Sequence, residues 1–189
     1  MINKKVIVVL SSPRKEGYST YLAKIAIDYL LKRGIEVEVL NLYKMNIKAC
    51  TACDKCIKNN GEFCVLKDDM KGVYQKIVDS YGLILASPIY WFTINAKMKL
   101  FIDRFYGFHT EKTKLLKDKR LGVILSYGNK DPYKSGVINA IRTLEDSFKY
   151  CESNLCKIVY GTEIVKEKRN LESTKDEDIR DLVSELCEN

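Results

Sequence analysis

Residues Lys5 to Leu10 read Lys-Val-Ile-Val-Val-Leu, an apolar, β-branched run with no polar residue after its first position. A run of this kind suits a strand buried on both faces, as in a parallel sheet with helices on each side. The segments that follow keep to that plan. Ser19 to Arg33 has helical spacing, with Leu22, Ile25, Ala26, Tyr29 and Leu30 on one face, and Gly34 is placed to close it as a left-handed cap. Ile35 to Leu40 reads as a second strand, and an amphipathic helix is predicted from about Lys67 to Ser80. Gly82 to Ala86 is a third apolar strand, ending in Ser87-Pro88. Asn95 to Phe105 is helical, with Met98, Phe101, Ile102 and Phe105 on one stripe. Leu121 to Ser126, Ser135 to Tyr150, Leu155 to Tyr160 and Lys175 to Cys187 continue as strand, helix, strand and helix. Strands alternating with helices predict an α/β fold, a parallel sheet covered on both sides.

A chain of 189 residues is long enough to bury its own core, and residues 1–189 read as a single domain without repeats, linkers or low-complexity tracts. Apolar residues at 46% and charged residues at 30% are ordinary for a soluble globular protein. No apolar stretch approaches the roughly 20 residues that span a bilayer. The apolar run after Lys4-Lys5 is too short for a secretion signal, and no small-residue cleavage site follows it. The expectation is a cytoplasmic protein without a membrane partner. The net charge of +7 is spread along the chain and forms no recognisable nucleic-acid module. It would favour an anionic nicotinamide cofactor or an acidic electron carrier.

Ligands of an open parallel sheet bind beyond the carboxyl ends of its strands. The first such loop is Ser11-Ser12-Pro13-Arg14-Lys15-Glu16-Gly17-Tyr18-Ser19-Thr20. It enters a helix, whose N-terminal N–H groups and dipole favour an anion. Ser12, Ser19 and Thr20 add hydroxyls, and Arg14 adds a charged fork suited to phosphate. It is neither G-x-G-x-x-G nor a Walker A loop. The plainer alternative is a β–α turn with Ser19 as N-cap. The second loop, Ser87-Pro88-Ile89-Tyr90-Trp91-Phe92-Thr93, carries the only Trp beside Tyr and Phe, and reads either as a rigid apolar wall for a planar ring or as aromatic packing. The third, Ser126-Tyr127-Gly128-Asn129, permits close approach of a ligand but also suits a simple turn.

Cys50, Cys53, Cys56 and Cys64 form a C-x2-C-x2-C-x7-C run. Two short gaps let three thiolates converge from one backbone curl while the longer gap returns a fourth, as iron–sulfur ligation requires. Four thiolates also suit zinc, and the segment, at about residues 48–66, could equally be a metal-free loop. Seven cysteines, an odd number, fit reduced thiols or metal ligands better than a disulfide framework. Cys151, Cys156 and Cys187 read as ordinary buried thiols.

Three segments resemble the flavodoxin-like NAD(P)H-dependent FMN reductases, including the iron–sulfur flavoproteins. They are Ser12-Pro13-Arg14-Lys15 with Gly17 and Ser19; Cys64-Val-Leu-Lys-Asp-Asp-Met70; and Ser87-Pro-Ile-Tyr-Trp91 leading to Lys99-Leu-Phe-Ile-Asp-Arg104. The resemblance implies a flavodoxin-like three-layer α/β/α sandwich with five parallel strands in the order 2-1-3-4-5. By it, Ser12, Arg14, Ser19 and Thr20 would hold the FMN phosphate. Pro88, Ile89, Tyr90 and Trp91 would line the isoalloxazine edge, with Ser126 and Gly128 on its other flank. The four clustered cysteines match the place where iron–sulfur flavoproteins hold a [4Fe-4S] cluster. Ser11 and Tyr18 depart from the Gly and Asn common in the family.

The implied activity is hydride transfer from NAD(P)H to FMN, with electrons passing to a quinone, flavin or protein acceptor, in a homodimer or homotetramer. A cofactor that carries the chemistry explains why the chain has no Ser-His-Asp set and a single histidine, His109, which reads as a loop residue. Asp103 and Arg104 read as structural ion-pair partners. The rival function is a non-enzymatic FMN or iron–sulfur electron carrier serving ferredoxin-like partners. A nucleotide-binding regulator without flavin is a third.

Overall fold

The structure, a computed structural model, describes residues 4–58, 63–108, 114–162 and 170–188. In chain order its elements are β1 (Lys5–Leu10), α1 (Tyr18–Lys32), β2 (Glu36–Asn41), the one-turn α2 (Lys55–Lys58), α3 (Met70–Asp79), β3 (Gly82–Tyr90) and the short β4 (Thr93–Ile94). There follow α4 (Ala96–Asp103), a 3-10 segment over Arg104–Phe108, β5 (Arg120–Ser126), α5 (Pro132–Ser135), α6 (Val137–Tyr150), β6 (Asn154–Gly161) and α7 (Asn170–Cys187).

The parallel strands run in the order β2-β1-β3-β5-β6. This is the predicted flavodoxin-like order, with the two-residue β4 added as an antiparallel partner of β3. β1 lies between β2 and β3 and pairs with both, from Lys5 opposite Glu36 to Leu10 opposite Asn41 on one side and from Val6 opposite Gly82 to Leu10 opposite Ala86 on the other. Its alternate side chains feed two cores. Val6 and Val8 pack with Leu22, Ala26 and Leu30 of α1 and with Ile179, Leu182 and Val183 of α7. Ile7 and Val9 face the opposite layer, built on α3, α4 and α6 through Val73, Ile77, Met98, Phe101, Leu144 and Phe148.

Several boundaries move, each for a physical reason. β3 continues through Ser87-Pro88 to Tyr90. Pro88 is tolerated because β1 has already ended opposite Ala86, so one edge of β3 is unpaired there. The chain then reverses over Trp91-Phe92, with Tyr90 opposite Thr93 and Ile89 opposite Ile94. Both turn residues have positive φ, 48° and 68°, the backbone of a two-residue hairpin turn that normally selects Asn and Gly. The helix predicted over 135–150 starts two residues later, as α6, because Gly136 at φ 79° closes α5 and opens α6. α1 begins at Tyr18 with Gly17 as its N-cap, not at Ser19. Gly34, at φ 71°, closes it as predicted.

Candidate functional site

The loops after β1, β3 and β5 meet in one pocket of about 330 Å³ at the carboxyl edge of the sheet. Its wall includes Ser12 and Arg14 from the first loop, Ser19 from the first turn of α1, Pro88, Ile89 and Tyr90 from the end of β3, and Ser126 and Gly128 from the end of β5 and the turn after it. Eight of the ten residues expected around a flavin are thus gathered in one place. Thr20 lies behind the first loop, where its hydroxyl donates to the Arg14 carbonyl at 3.4 Å. Trp91 does not line the pocket: it stands 92% exposed at the hairpin tip, with its ring against Phe92. Tyr18, noted in the sequence only as a departure from the family, and Tyr127 also line the pocket. Tyr18 is there because its ring packs over Gly161, where a Cβ would come within 3.0 Å of it.

The first loop is shaped to receive an anion. Ser12 Oγ accepts from the Arg14 N–H at 3.1 Å and folds the chain back before the helix. Gly17 leaves space beside it, since a Cβ there would lie 2.9 Å from Ser12 Oγ. The N-terminus of α1 has no side-chain cap and no acidic residue in its first turn, so its N–H groups and dipole are available to a ligand. Phosphate fits this cradle.

A buried network that sequence reasoning missed locks the first two loops together. Asn95 accepts from the Met98 N–H at 3.0 Å, capping α4, while its amide donates to the Ser11 carbonyl. Its own N–H donates to Ser87 Oγ at 3.3 Å, and Ser11 Oγ donates to the Ala86 carbonyl at 3.1 Å. An Asn before a helix signals a cap; nothing in the sequence signals that the same side chain spans two strand ends.

The cysteine segment leaves the end of β2 and returns at α3. Ala52 and Asp54, at φ 50° and 55°, give it the left-handed bends of a tight curl. Cys50 and Cys53 are exposed, Cys56 is buried and Cys64 half-buried. The Lys55 N–H, with the Thr51 hydroxyl, holds the Cys53 thiol below its usual range. Burial, with Cys64 nearby, raises that of Cys56. Gly107 lies against both Cys56 and Cys64, its Cβ position 3.6 Å from Cys56 Cβ and 3.7 Å from the Cys64 nitrogen. Among the described residues no three Cys, His, Asp or Glu side chains converge as a closed metal site. The fit to an iron–sulfur cluster is therefore one of donor type and backbone curl.

The two stems of this segment are tied at their base. Asp68 accepts from the Lys48 N–H at 2.9 Å and the Met70 N–H at 3.1 Å, and Asp69 accepts from the Asn46 N–H at 2.7 Å. The Arg104 guanidinium grips Asp68 with two nitrogens, both side chains wholly buried, and donates to the Lys48 carbonyl at 3.0 Å. Asp103 pairs with Lys99 on the surface. Both are the ion-pair partners predicted. Cys151 is buried as expected, while Cys156 and Cys187 are half-buried. His109 lies outside the described residues. Among the described residues no helix is long and apolar enough to cross a membrane.

The model of the NADPH-dependent FMN reductase family matches residues 4–151. An iron–sulfur flavoprotein of Methanocaldococcus jannaschii is 31% identical over 144 residues, which cover 76% of this chain and 70% of that protein. One from Archaeoglobus fulgidus is 37% identical over 123 residues, 65% of this chain and 54% of the relative. The chain thus spans little more than half the length of the second. Among solved structures, an NAD(P)H:quinone oxidoreductase from Methanothermobacter marburgensis superposes with a TM-score of 0.75 at 18% identity, covering 98% of this chain and 96% of that one. That likeness carries the fold, and the family match carries the rest: this chain belongs to the NADPH-dependent FMN reductase family, on its iron–sulfur flavoprotein-like side.

Proposed function

We propose that this chain binds FMN in the pocket at the carboxyl edge of its sheet, accepts hydride there from NAD(P)H, and passes the electrons to a quinone, flavin or protein acceptor. The observation that carries the reading is the convergence of an uncapped helix N-terminus, Ser12 and Arg14 with the Pro88–Tyr90 strand end and the Ser126–Gly128 turn around one pocket. When bound, FMN supplies the hydride and electron chemistry. The chain's part is placement. Arg14, Ser12, Ser19 and the first N–H groups of α1 would bind the phosphate, with Thr20 supporting the loop from behind. Pro88, Ile89 and Tyr90 would fix the ring edge, while Tyr18 and Tyr127 would keep water from one flank. Trp91, projecting from a rigid hairpin beside the pocket, would meet the nicotinamide, the acceptor or a second subunit.

In the same reading, Cys50, Cys53, Cys56 and Cys64 hold a [4Fe-4S] cluster that supplies one-electron exchange. Sequence similarity to iron–sulfur flavoproteins and the left-handed backbone at Ala52 and Asp54 support it. Seven free thiols fit a reducing cytoplasm. The exposed Trp91, Phe92 and Tyr133 beside the pocket fit a homodimer or homotetramer.

The test is a visible spectrum, with iron and sulfide analysis, of protein purified without oxygen, followed by anaerobic addition of NADH or NADPH. Flavin bands that bleach with either nucleotide support the reductase. Flavin bands that bleach only with a reduced ferredoxin would replace it by the electron carrier, and a colourless protein that takes up no FMN would remove the flavin reading. Broad absorbance with about four irons per chain would support the cluster.

A further inference from the structure

β1 and β2 end side by side, with Leu10 opposite Asn41, so the segments that leave them face each other across a groove. The groove, about 480 Å³, adjoins the flavin pocket and shares Ser12, Arg14 and Glu16 with it. Its charge is one-sided. Arg14, Lys15 and Lys24 line it from the first loop and α1, and Lys44 from the end of β2, against the single carboxylate of Glu16. Glu16 is engaged by Lys24 at 3.5 Å, whereas Arg14, Lys15 and Lys44 have no carboxylate partner among the described residues. Three unpaired cations on two walls of one groove attract a phosphate dianion.

The β2 side presents a ring beside that charge. The Tyr43 N–H donates to Asn41 Oδ1 at 3.0 Å, which turns the chain into a single 3-10 turn, Leu42–Lys44. Leu42 is fully buried and anchors the turn in the core, while its neighbours Tyr43 and Lys44 line the groove. Lys97 stands 5.8 Å from the Tyr43 ring centre and donates to the Met45 carbonyl at 3.2 Å, so the ring is held from one side. Tyr43 remains 42% exposed, a flat apolar surface suited to a purine base. A carboxylate near the end of a second strand accepts from a ribose hydroxyl and repels a phosphate; a cation there accommodates the phosphate. This chain has the neutral Asn41, followed by Lys44.

We propose that this groove is the subsite for the adenosine 2′-phosphate end of NADPH: Lys44 and Lys15 bind the phosphate, Tyr43 stacks on the adenine, and the two lysines select NADPH over NADH. The inference rests on the reading of the adjoining pocket as the place where NAD(P)H reduces FMN. A dinucleotide with its nicotinamide end at the flavin lies across the first loop, which borders both cavities. Ring and charge act on different parts of the ligand. Stacking is common to both nucleotides, while the phosphate contact exists for NADPH alone.

Anaerobic bleaching of the FMN-loaded protein, followed at varied NADPH and NADH concentrations, tests the proposal. The wild type should half-saturate at a lower concentration of NADPH than of NADH, and added salt should shrink that advantage. Lys44 is exposed and unpaired, so Lys44→Ala should keep its FMN and its melting temperature. It should raise the half-saturating NADPH concentration about tenfold and leave that of NADH unchanged. Lys44→Glu should go further and favour NADH. Tyr43→Ala should weaken both nucleotides by a similar factor, about tenfold. Adenosine 2′-phosphate should compete with NADPH, and adenosine 5′-phosphate much more weakly. Equal half-saturation by the two nucleotides, an unaltered preference in Lys44→Ala, or equal competition by the two adenosine phosphates overturns the subsite alone. So does loss of FMN from Lys44→Ala, which assigns the groove to the flavin's own phosphate. A bound flavin that neither nucleotide bleaches overturns the reductase reading, and the subsite with it.

Discussion

Gly17 stands where any side chain would push into the phosphate loop. A Cβ there meets Ser12 Oγ at 2.9 Å and Arg14 Cβ at 3.2 Å, so Gly17→Ala must move one of the two groups proposed to hold the phosphate. Loss of one hydrogen bond to a charged ligand costs about 1.5–3 kcal/mol. FMN affinity measured by fluorescence titration should fall about tenfold or more, with the melting temperature of the flavin-free protein little changed. Gly136 is constrained differently. It combines φ 79° with a Cβ position 2.3 Å from the Phe92 Cα, so it carries the Trp91-Phe92 hairpin directly on its backbone. Gly136→Ala should lower the melting temperature and loosen that hairpin, since both strain and a backbone clash oppose it. The sequence offered Gly136 only as a residue inside an otherwise regular helical pattern. What fixes it is a partner more than forty positions away, which local periodicity cannot report. Trp91 was the reverse case: a lone Trp at a strand end implies a wall, yet the register of a two-residue turn sends it to solvent.

The elements most legible in the sequence are those whose burial is repetitive. β1, α1 and the apolar stripe of α4 were readable because one chemical character recurs at the period of the element. The hairpin between β3 and β4 was not, because its turn uses Trp and Phe in the positive-φ positions that Asn-Gly normally fills. Such strain marks functional segments, and it predicts a trade. Replacing Trp91-Phe92 by Asn-Gly should raise thermal stability by about 1–2 kcal/mol, and a simultaneous loss of NAD(P)H oxidation would show that the aromatic tip serves the reaction. The neck of the cysteine segment predicts an acid response. Burial alone would raise the Asp68 carboxyl, but the Arg104 fork and the Lys48 and Met70 N–H groups outweigh it and hold it below the usual carboxylate range. A carboxyl lowered by folding stabilises fully above its unfolded value and loses that contribution as pH falls through the folded one. Melting temperature should therefore fall below about pH 4 in the wild type. Asp68→Asn should flatten this dependence while costing about 3–5 kcal/mol at neutral pH, because it leaves Arg104 buried and unpaired.

Across the whole molecule, α4 is the link between the two proposed redox sites. Its N-cap, Asn95, binds the ends of β1 and β3 that border the flavin pocket. Its C-cap, Arg104, ties the stems of the cysteine segment. Eight residues at 1.5 Å rise make a rod of about 12 Å, so the two anchors are held at nearly fixed separation by one helix, whose inner face sets Met98, Phe101 and Ile102 in the core. The arrangement separates chemical roles while coupling positions. Cys53→Ala removes a thiol on the exposed side of the curl and touches neither anchor. It should abolish cluster absorbance while sparing the flavin bands and their bleaching by NAD(P)H. Asn95→Ala should act the other way round. It frees the Ser11 carbonyl and uncaps α4, for an expected loss of about 1–3 kcal/mol, and should weaken FMN retention first. Because α4 also seats Arg104, the same variant should lower cluster loading although no cysteine has been altered. Visible spectra and iron analysis of the two variants decide the matter. Loss of iron with Asn95→Ala, beside retained flavin with Cys53→Ala, means that the helix transmits the position of one site to the other. Full iron loading in an Asn95→Ala protein that has lost its flavin means that the two sites merely share a scaffold.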